Sequence, residues 1–201
     1  MKLQSNHTYT LDDFALWNNL KAGDEKAFSI LFGKYYSDLV RYGKTLCSYD
    51  DRVQDCVQDV FTDIWVYRES LSDSVVVKAY LLSSVRKRIA RLYQRDPFFK
   101  ESNIETTEFL FDFSIEQQLI DDEITSEKVS QLNIRINNLP ARQKEALYLR
   151  YHQQLTVEQI AEIMAVNYQS VSNILFRGIQ NLRKDWKENI SVILILASSS
   201  F

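Results

Sequence analysis

A polar stripe near the C-terminal end of the chain has the chemistry needed to read the edges of DNA base pairs. Residues 168–183 (YQSVSNILFRGIQNLR) show helical periodicity, and the apolar side chains of this segment fall on one face. The opposite face carries Tyr168, Gln169, Ser172, Asn173, Phe176 and Arg177. Amide and hydroxyl groups can hydrogen-bond to base edges, an aromatic ring can contact a thymine methyl, and arginine can bind guanine or phosphate. The stripe predicts recognition of DNA without covalent chemistry.

Two short helices joined by a tight turn would place such a stripe in the major groove. Residues 155–164 (LTVEQIAEIM) have the pattern of the first helix, and a three-residue break at 165–167 separates it from the second. Thr156 and Gln159 have the spacing of a capping box, and Asn167 is a favourable N-cap for the second helix. The pattern predicts a helix-turn-helix, although an ordinary helical hairpin with a solvated polar side fits the same residues.

A second polar stripe is acidic and lies on the third predicted helix, around Val53 to Trp65. Its members are Asp51, Asp55, Asp59 and Asp63, at intervals of four residues, with Gln54 and Gln58 between them. Like charges at this spacing are neighbours on a helix and cost about 0.2–0.5 kcal/mol per pair. A basic partner would relieve this repulsion, and the alternative is an acidic face that is only solvated.

The fourth predicted helix, residues 76–95, is basic and also carries aromatic side chains. Its cations are Lys78, Arg86, Lys87, Arg88, Arg91 and Arg95. Such a density of cations can bind phosphates, and an aromatic ring such as Tyr80 can stack on a base displaced from the duplex. Tyr93 on the same helix is expected to pack in the core. Pro97 ends the helix because proline has no backbone amide hydrogen.

The composition predicts an all-helical protein that holds no metal or other cofactor. Only four glycines and two prolines occur in 201 residues, and hydrophobic residues make up 45% of the chain. Two cysteines and two histidines are too few for a zinc site or a disulfide framework. The N-terminus does not resemble a signal peptide, and no apolar run approaches the roughly 18 residues of a membrane span. We therefore expect a soluble cytoplasmic protein.

Charge is unevenly distributed and divides the chain into domains. The net charge is −3, yet residues 71–100 hold 7 basic and 2 acidic side chains, and residues 131–201 hold 8 and 5. Residues 101–130 between them hold 1 basic and 9 acidic side chains. Local positive charge is what a DNA-binding face requires. The predicted organisation has two small helical domains, an acidic linker and an apolar tail, at residues 10–97, 126–188, 98–125 and 189–201 respectively. A short helix is predicted within the linker, near residues 115–120.

Four blocks of the sequence, in order, resemble the extracytoplasmic-function sigma factors, which are small two-domain members of the sigma-70 family. The N-terminal blocks are Ala27 to Tyr42 (AFSILFGKYYSDLVRY), Asp55 to Trp65 (DCVQDVFTDIW) and Lys78 to Arg95 (KAYLLSSVRKRIARLYQR). Leu139 to Arg183, which contains the predicted helix-turn-helix, is similar to the family's reader of the upstream promoter element. Within the family, the chain looks most like the group that occurs with regulators of iron or polysaccharide uptake.

The resemblance implies a role for each stripe. Core RNA polymerase would bind Asp55, Gln58, Asp59 and Phe61. The minus-ten region of promoter DNA would be bound and opened by Tyr80, Arg86, Lys87, Arg88, Arg91 and Arg95. The upstream promoter element would be read by Tyr168, Gln169, Ser172, Asn173, Phe176 and Arg177. The family also implies a membrane-anchored anti-sigma factor as a partner, with the apolar tail as one candidate contact, and no small-molecule substrate.

Several residues depart from the family's usual pattern. Lys87 stands where asparagine is usual, and Tyr80 replaces the tryptophan of many members. In the helix-turn-helix, Ala165 replaces a common turn glycine, and Ser172 and Asn173 stand where a cation and a serine are frequent. These departures predict an unusual minus-ten preference, weak affinity for free DNA and a strong reliance on polymerase.

Two other classes of protein fit parts of the pattern. A dimeric helix-turn-helix repressor or activator with a helical sensor domain would bind two half-sites about one helical turn apart. A nuclease with an added DNA reader would need a phosphate loop or a cluster of metal ligands, and the sequence shows neither. We expect no enzymatic activity.

Overall fold

The computed structural model describes residues 12–95 and 131–184, and both ranges consist of helices joined by short turns. The first range contains α1 (Asp13–Lys21), α2 (Glu25–Leu46), α3 (Asp50–Val66), a 3₁₀ turn (Arg68–Ser70) and α4 (Val77–Arg95). The second contains α5 (residues 131–137), α6 (Ala141–Leu147), a π-helical turn (Tyr148–His152), α7 (Val157–Met164) and α8 (Tyr168–Arg183). The predicted all-α class is confirmed. Within these two ranges no helix is both long enough and apolar enough to cross a membrane.

Some predictions lie outside the described residues. These are the acidic linker with its short helix near residues 115–120, and the apolar tail at residues 189–201.

The first helical bundle, α1 to α4, buries the apolar faces that the periodicity predicts. Along α2 the buried side chains include Leu31, Tyr35, Leu39 and Tyr42, which recur every three or four residues. Asp24 caps this helix, since its Oδ1 accepts hydrogen bonds from the backbone amides of residues 26 and 27. This bundle is the platform that presents α3 and α4.

One apolar residue of α1 departs from the predicted pattern. The spacing of Phe14, Trp17 and Leu20 in the sequence predicts one buried face, but the side chain of Phe14 is 56% exposed. Leu16 is buried instead, together with Trp17 and Leu20. The spacing 16, 17, 20 keeps all three side chains on the one face that packs on α2 and α4, and residue 14 lies about 200° from residue 16 around the helix.

Helices α2 and α3 approach each other closely at Gly43. A β-carbon on Gly43 would lie 2.5 Å from Cγ1 of Val53 and 3.4 Å from Cδ1 of Ile89. Val53 is fully buried and β-branched, so its side chain has little freedom to move away. Glycine is therefore required at this crossing by space alone.

Replacement of Gly43 with alanine is expected to lower the free energy of unfolding by about 1–3 kcal/mol, because overpacking displaces neighbouring core atoms. Gly33 on the same helix is a matched control, since nothing lies within 4 Å of the position of its β-carbon. Gly33→Ala should raise the free energy of unfolding by about 0.5–1 kcal/mol through helix propensity. Urea denaturation of both variants measures the difference, and equal effects would contradict the close approach.

The two helical bundles share an interface whose centre is a buried carboxylate. Nε and Nη2 of Arg86 on α4 donate hydrogen bonds to Oε1 and Oε2 of Glu145 on α6, at 2.7 and 3.3 Å. The hydroxyl of Tyr42 on α2 donates to Oε1 of Glu145 at 2.8 Å. Only 12% of the Arg86 side chain and 5% of the Glu145 side chain are exposed. Glu145 thus connects two helices of the first bundle to the second.

Aromatic stacking surrounds this carboxylate. The rings of Tyr42 and Tyr148 are nearly parallel, with centroids 5.8 Å apart. The ring of His152 stacks on that of Tyr148, with centroids 4.8 Å apart. Gln153 donates to the hydroxyl of Tyr148 at 2.8 Å. Burial, followed by the charge of Arg41, lowers the pKa of His152 to about 4. The interface is therefore tightly packed and holds His152 in its neutral form at neutral pH.

Candidate nucleic-acid and partner interfaces

Helix α8 presents the polar stripe that the sequence predicts. Val171, Leu175 and Leu182 are buried, whereas the predicted reading face points outward. Tyr168 is 52% and Phe176 is 61% exposed, and Gln169, Asn173 and Arg177 are also exposed. Nε2 of Gln169 donates to Oδ1 of Asn173 at 3.3 Å, one turn further along. Ser172 is half-buried at the edge of this face.

The turn before α8 is built as the capping residues predict. The hydroxyl of Thr156 accepts from the amide of Gln159, whose side chain accepts from the amide of Thr156, so the capping box is complete. Oδ1 of Asn167 accepts from the amide of Ser170 at 2.7 Å. Between the helices, Ala165 adopts a left-handed conformation with φ of 54°. Glycine is favoured there, and alanine accepts the conformation at a cost on the order of 1 kcal/mol.

The acidic stripe of α3 is exposed, but part of its repulsion is relieved inside the chain. Nη2 of Arg88 on α4 lies 3.3 Å from Oδ2 of Asp59 and 3.2 Å from Oδ2 of Asp63. The carboxylate side chains remain 60% and 56% exposed. Asp55 and Gln58 are exposed on the same face. A basic partner can therefore still reach this surface, beside which lie Arg88 and the other arginines that line the groove at Asp55 and Asp59, namely Arg52, Arg91 and Arg95.

Phe61 does not lie on this surface, so its predicted direct contact with a partner is corrected. Its side chain is only 2% exposed. The ring packs edge-on against Phe32 and Phe28, with centroids 4.9 and 6.1 Å away. Phe61 is two residues from Asp59 in the sequence but lies on the apolar side of α3, about 200° around the helix. It supports α3 from inside the bundle.

The cations of α4 differ in their surroundings: some are exposed, and others are paired with carboxylates of the same chain. Lys87, Arg91 and Arg95 are exposed, share one side of the helix and lie four residues apart. Arg88 is next to them and turns towards the acidic stripe. Tyr80 is half-buried, and its ring lies edge-on to Trp17 with centroids 5.3 Å apart. Burial raises the pKa of the Tyr80 hydroxyl. The contact with Trp17 anchors this residue in the bundle and leaves it partly exposed.

Arg86 is the exception among these cations, and its predicted contact with DNA is not available in this arrangement. At about 100° per residue, it lies about 140° from Arg91 around the helix. Its guanidinium group is bound to Glu145 in the interface between the bundles. Arg86 therefore serves a carboxylate of the same chain here.

A groove between α3, the 3₁₀ turn and α4 brings together residues that sequence reasoning did not combine. Tyr67, Tyr80, Lys87 and Arg91 line it, and the other lining residues include Ile64, Leu71 and the paired charges Asp63 and Arg88. Tyr67 follows the last residue of α3, is 62% exposed and was not predicted to have a role. In the sequence, the position of Tyr67 directly after the acidic helix could have indicated such a role. Aromatic rings beside cations suit binding of single-stranded nucleic acid.

The described residues contain no cluster of three or more histidine, cysteine or acidic side chains that could hold a metal ion. Cys47 and Cys56 are both buried as free thiols. Burial raises the pKa of the Cys56 thiol to about 11. Cys56 is thus in the thiol form at neutral pH.

Family comparisons agree with the two bundles. Residues 31–96 match the Sigma-70 region 2 family, and residues 135–184 match the family described as Sigma-70, region 4. Together the two matches cover more than half of the chain. The chain belongs to the sigma-70 family. This pair of regions supports the placement among the extracytoplasmic-function sigma factors.

Individual relatives are distant but span most of this sigma factor. The RNA polymerase sigma factor YlaC of Bacillus subtilis (strain 168) is 23% identical over 157 residues, which are 77% of this chain and 89% of YlaC. Among solved structures, CnrH in complex with the cytosolic domain of CnrY superposes with a TM-score of 0.57 at 15% identity. That match covers 85% of this chain and 94% of CnrH and concerns the fold.

The family assignment gives the function. The protein is a sigma factor that directs core RNA polymerase to promoters for the initiation of transcription. Its partners are core RNA polymerase and promoter DNA. The exposed face of α8 lies in region 4, and the basic face of α4 and the acidic stripe of α3 lie in region 2.

Proposed function

We propose that three exposed faces of this sigma factor divide the work of initiation. The acidic stripe of α3 binds core RNA polymerase through Asp55, Gln58 and Asp59, with Phe61 as buried support. Polymerase would have to offer a basic surface, because α3 presents carboxylates that are more than half exposed. Arg88 already neutralises part of this stripe, which reduces the repulsion before the partner arrives.

The basic face of α4 binds the minus-ten region and assists its opening. Lys87, Arg91 and Arg95 hold phosphates of the DNA backbone. Tyr80 and Tyr67 offer aromatic surface on which a displaced base can stack, and such stacking is worth about 1–3 kcal/mol per base. The groove that contains these rings and two of the cations is the observation that carries this assignment. Arg88 lines the same groove, but it is already paired with Asp59 and Asp63 and so adds less positive charge to this surface.

The outward face of α8 reads the upstream element. Gln169, Asn173 and Arg177 supply hydrogen bonds to base edges or phosphates, while Tyr168 and Phe176 supply apolar contacts. Ser172 lies at the margin of this face and contributes less surface. Since only one arginine lies on it, affinity for free DNA is low and delivery by polymerase is required.

Several features of the wider setting belong to the same proposal. The domain limits are residues 10–97 and 126–188, joined by an acidic linker at 98–125 and followed by an apolar tail at 189–201. The protein acts in the cytoplasm, carries out no catalysis and belongs to the group that occurs with regulators of iron or polysaccharide uptake. A membrane-anchored anti-sigma factor holds it inactive. The structural relative CnrH supports such a partner, because its complex contains the cytosolic domain of a second protein, CnrY.

Run-off transcription with core RNA polymerase on a library of genomic fragments tests the function directly. We expect initiation at a small set of promoters that share two dissimilar elements, and no initiation without the sigma factor. A dimeric repressor or activator would instead protect a palindrome in footprints of the free protein. Protection of that kind, without any stimulation of core polymerase, would contradict the proposal.

A further inference from the structure

The buried contact between Arg86 and Glu145 has the geometry of a phosphate contact. The guanidinium binds both carboxylate oxygens, and this bidentate arrangement is also the one that arginine forms with a phosphate group. Arg86 belongs to the helix that carries the basic face towards the minus-ten region. Glu145 belongs to region 4, the other DNA-binding half of the chain.

We infer that Glu145 acts as an internal substitute for a DNA phosphate: it occupies Arg86, holds regions 2 and 4 together in the free protein, and is displaced when promoter DNA is bound. This inference rests on the proposed function of α4 and α8. It adds a closed state in which one DNA-binding cation is withheld. Tyr42 stabilises that state because its hydroxyl also donates a hydrogen bond to the carboxylate of Glu145.

The closed state is incompatible with reading two separate promoter elements. Helix α7 of the helix-turn-helix packs directly on α4. Helices in contact have axes about 8–10 Å apart, which corresponds to about three base pairs along the duplex. Simultaneous binding of two distinct promoter elements requires a larger distance between α4 and the helix-turn-helix. The bundles must therefore move apart on the promoter.

The covalent connection permits this movement. Thirty-five residues separate Arg95 from Gln131 in the sequence. A fully extended chain covers about 3.3–3.6 Å per residue, so the connection sets an upper limit of roughly 120 Å. Opening exposes Arg86 to DNA phosphates and Glu145 to water, and neither charge is left buried without a partner.

Removal of the carboxylate alone should open the free protein. Glu145→Gln preserves size but removes the carboxylate charge that Arg86 binds in the interface. Loss of one partner of a buried pair is strongly unfavourable, so the balance should shift about 100-fold or more towards the open form. Tyr42→Phe removes a single hydrogen bond to a charged group and should shift it by roughly tenfold. Glu162→Gln, on the exposed side of α7, is the matched control.

The test uses the full-length protein with two readouts that do not need polymerase. Small-angle X-ray scattering should show a larger radius of gyration for Glu145→Gln than for the wild type and the Glu162→Gln control. A fluorescein-labelled duplex of arbitrary sequence should bind Glu145→Gln about tenfold more tightly, because a larger fraction of the protein is competent to bind. Arg86→Ala in the Glu145→Gln background should remove that gain.

Three results would overturn the inference. They are an unchanged radius of gyration, expansion without tighter DNA binding, and a gain in affinity that survives Arg86→Ala. If Glu145→Gln does not fold, the same measurements on Tyr42→Phe decide the question. Run-off transcription by wild-type protein is scored separately, since its failure would contradict the proposed function while scattering would still report whether Glu145 holds the bundles together.

Discussion

Replacement of both Asp55 and Asp59 with lysine is expected to abolish binding to core RNA polymerase. The change converts two exposed negative charges on α3 into positive ones and sets like charges against the basic surface that the proposal requires. Juxtaposed like charges at an interface cost several kcal/mol. Co-elution of the variant with core polymerase on size exclusion measures the effect directly.

The fold should survive this reversal. Asp59 contacts Arg88 at the surface, and exposed ion pairs of this kind contribute only about 0–1 kcal/mol. Circular dichroism should therefore show unchanged helical content. Glu25→Lys combined with Glu162→Lys makes the same change in net charge at exposed positions outside α3 and serves as the control. Retained binding of the α3 variant, or equal loss in the control, would remove the acidic stripe from the polymerase interface.

Replacement of Arg177 with alanine is expected to weaken recognition of the upstream element by about 1–3 kcal/mol if the guanidinium makes a bidentate contact to a base. Arg177 is exposed on α8 beside Phe176, and its loss removes no buried contact from the helix-turn-helix. Binding of the polymerase holoenzyme to promoter variants, measured at two salt concentrations, gives the change. Glu162→Ala, at an exposed position of α7 outside the reading face, is the control.

The pattern of loss distinguishes a base contact from a phosphate contact. A base contact predicts that the penalty is largest at one base pair and that Arg177→Lys does not restore it, because lysine lacks the planar fork of arginine. A phosphate contact predicts equal weakening of binding on all sequences. It also predicts that the slope of log K against log salt concentration becomes smaller by about one unit. An Arg177→Ala variant with unchanged binding on every promoter would exclude Arg177 from the reading face.

The helix-turn-helix was accessible from sequence because its determinants are local. Capping by Thr156, Gln159 and Asn167 depends on residues within a single turn, so spacing alone identifies it. The same holds for the acidic stripe of α3, where intervals of four residues place the carboxylates on one face. Phe61 lies about 200° around the helix from Asp59, so its burial also follows from helical spacing. Its predicted contact with polymerase came from the family resemblance instead.

The groove at Tyr67 and the pairing of Arg86 could not be read from sequence. Tyr67 and Tyr80 are 13 residues apart and meet only because α3 and α4 pack side by side. Arg86 and Glu145 are 59 residues apart and belong to different regions. Contacts over such distances depend on how bundles dock, which helical periodicity does not encode.

The sequence by itself determined the helical class, the polar face of α8, the basic face of α4, the acidic stripe and the family, because amphipathic spacing, capping and motif order are properties of neighbouring residues. Tertiary structure alone decided which cations are available. Lys87, Arg91 and Arg95 face outward, Arg88 turns to the aspartates of α3, and Arg86 is enclosed with Glu145. The physical reason is that the surroundings of a charged side chain in space decide its interactions. The role of Arg86 is therefore set by its burial against Glu145, a carboxylate distant in the sequence, more than by its position in α4.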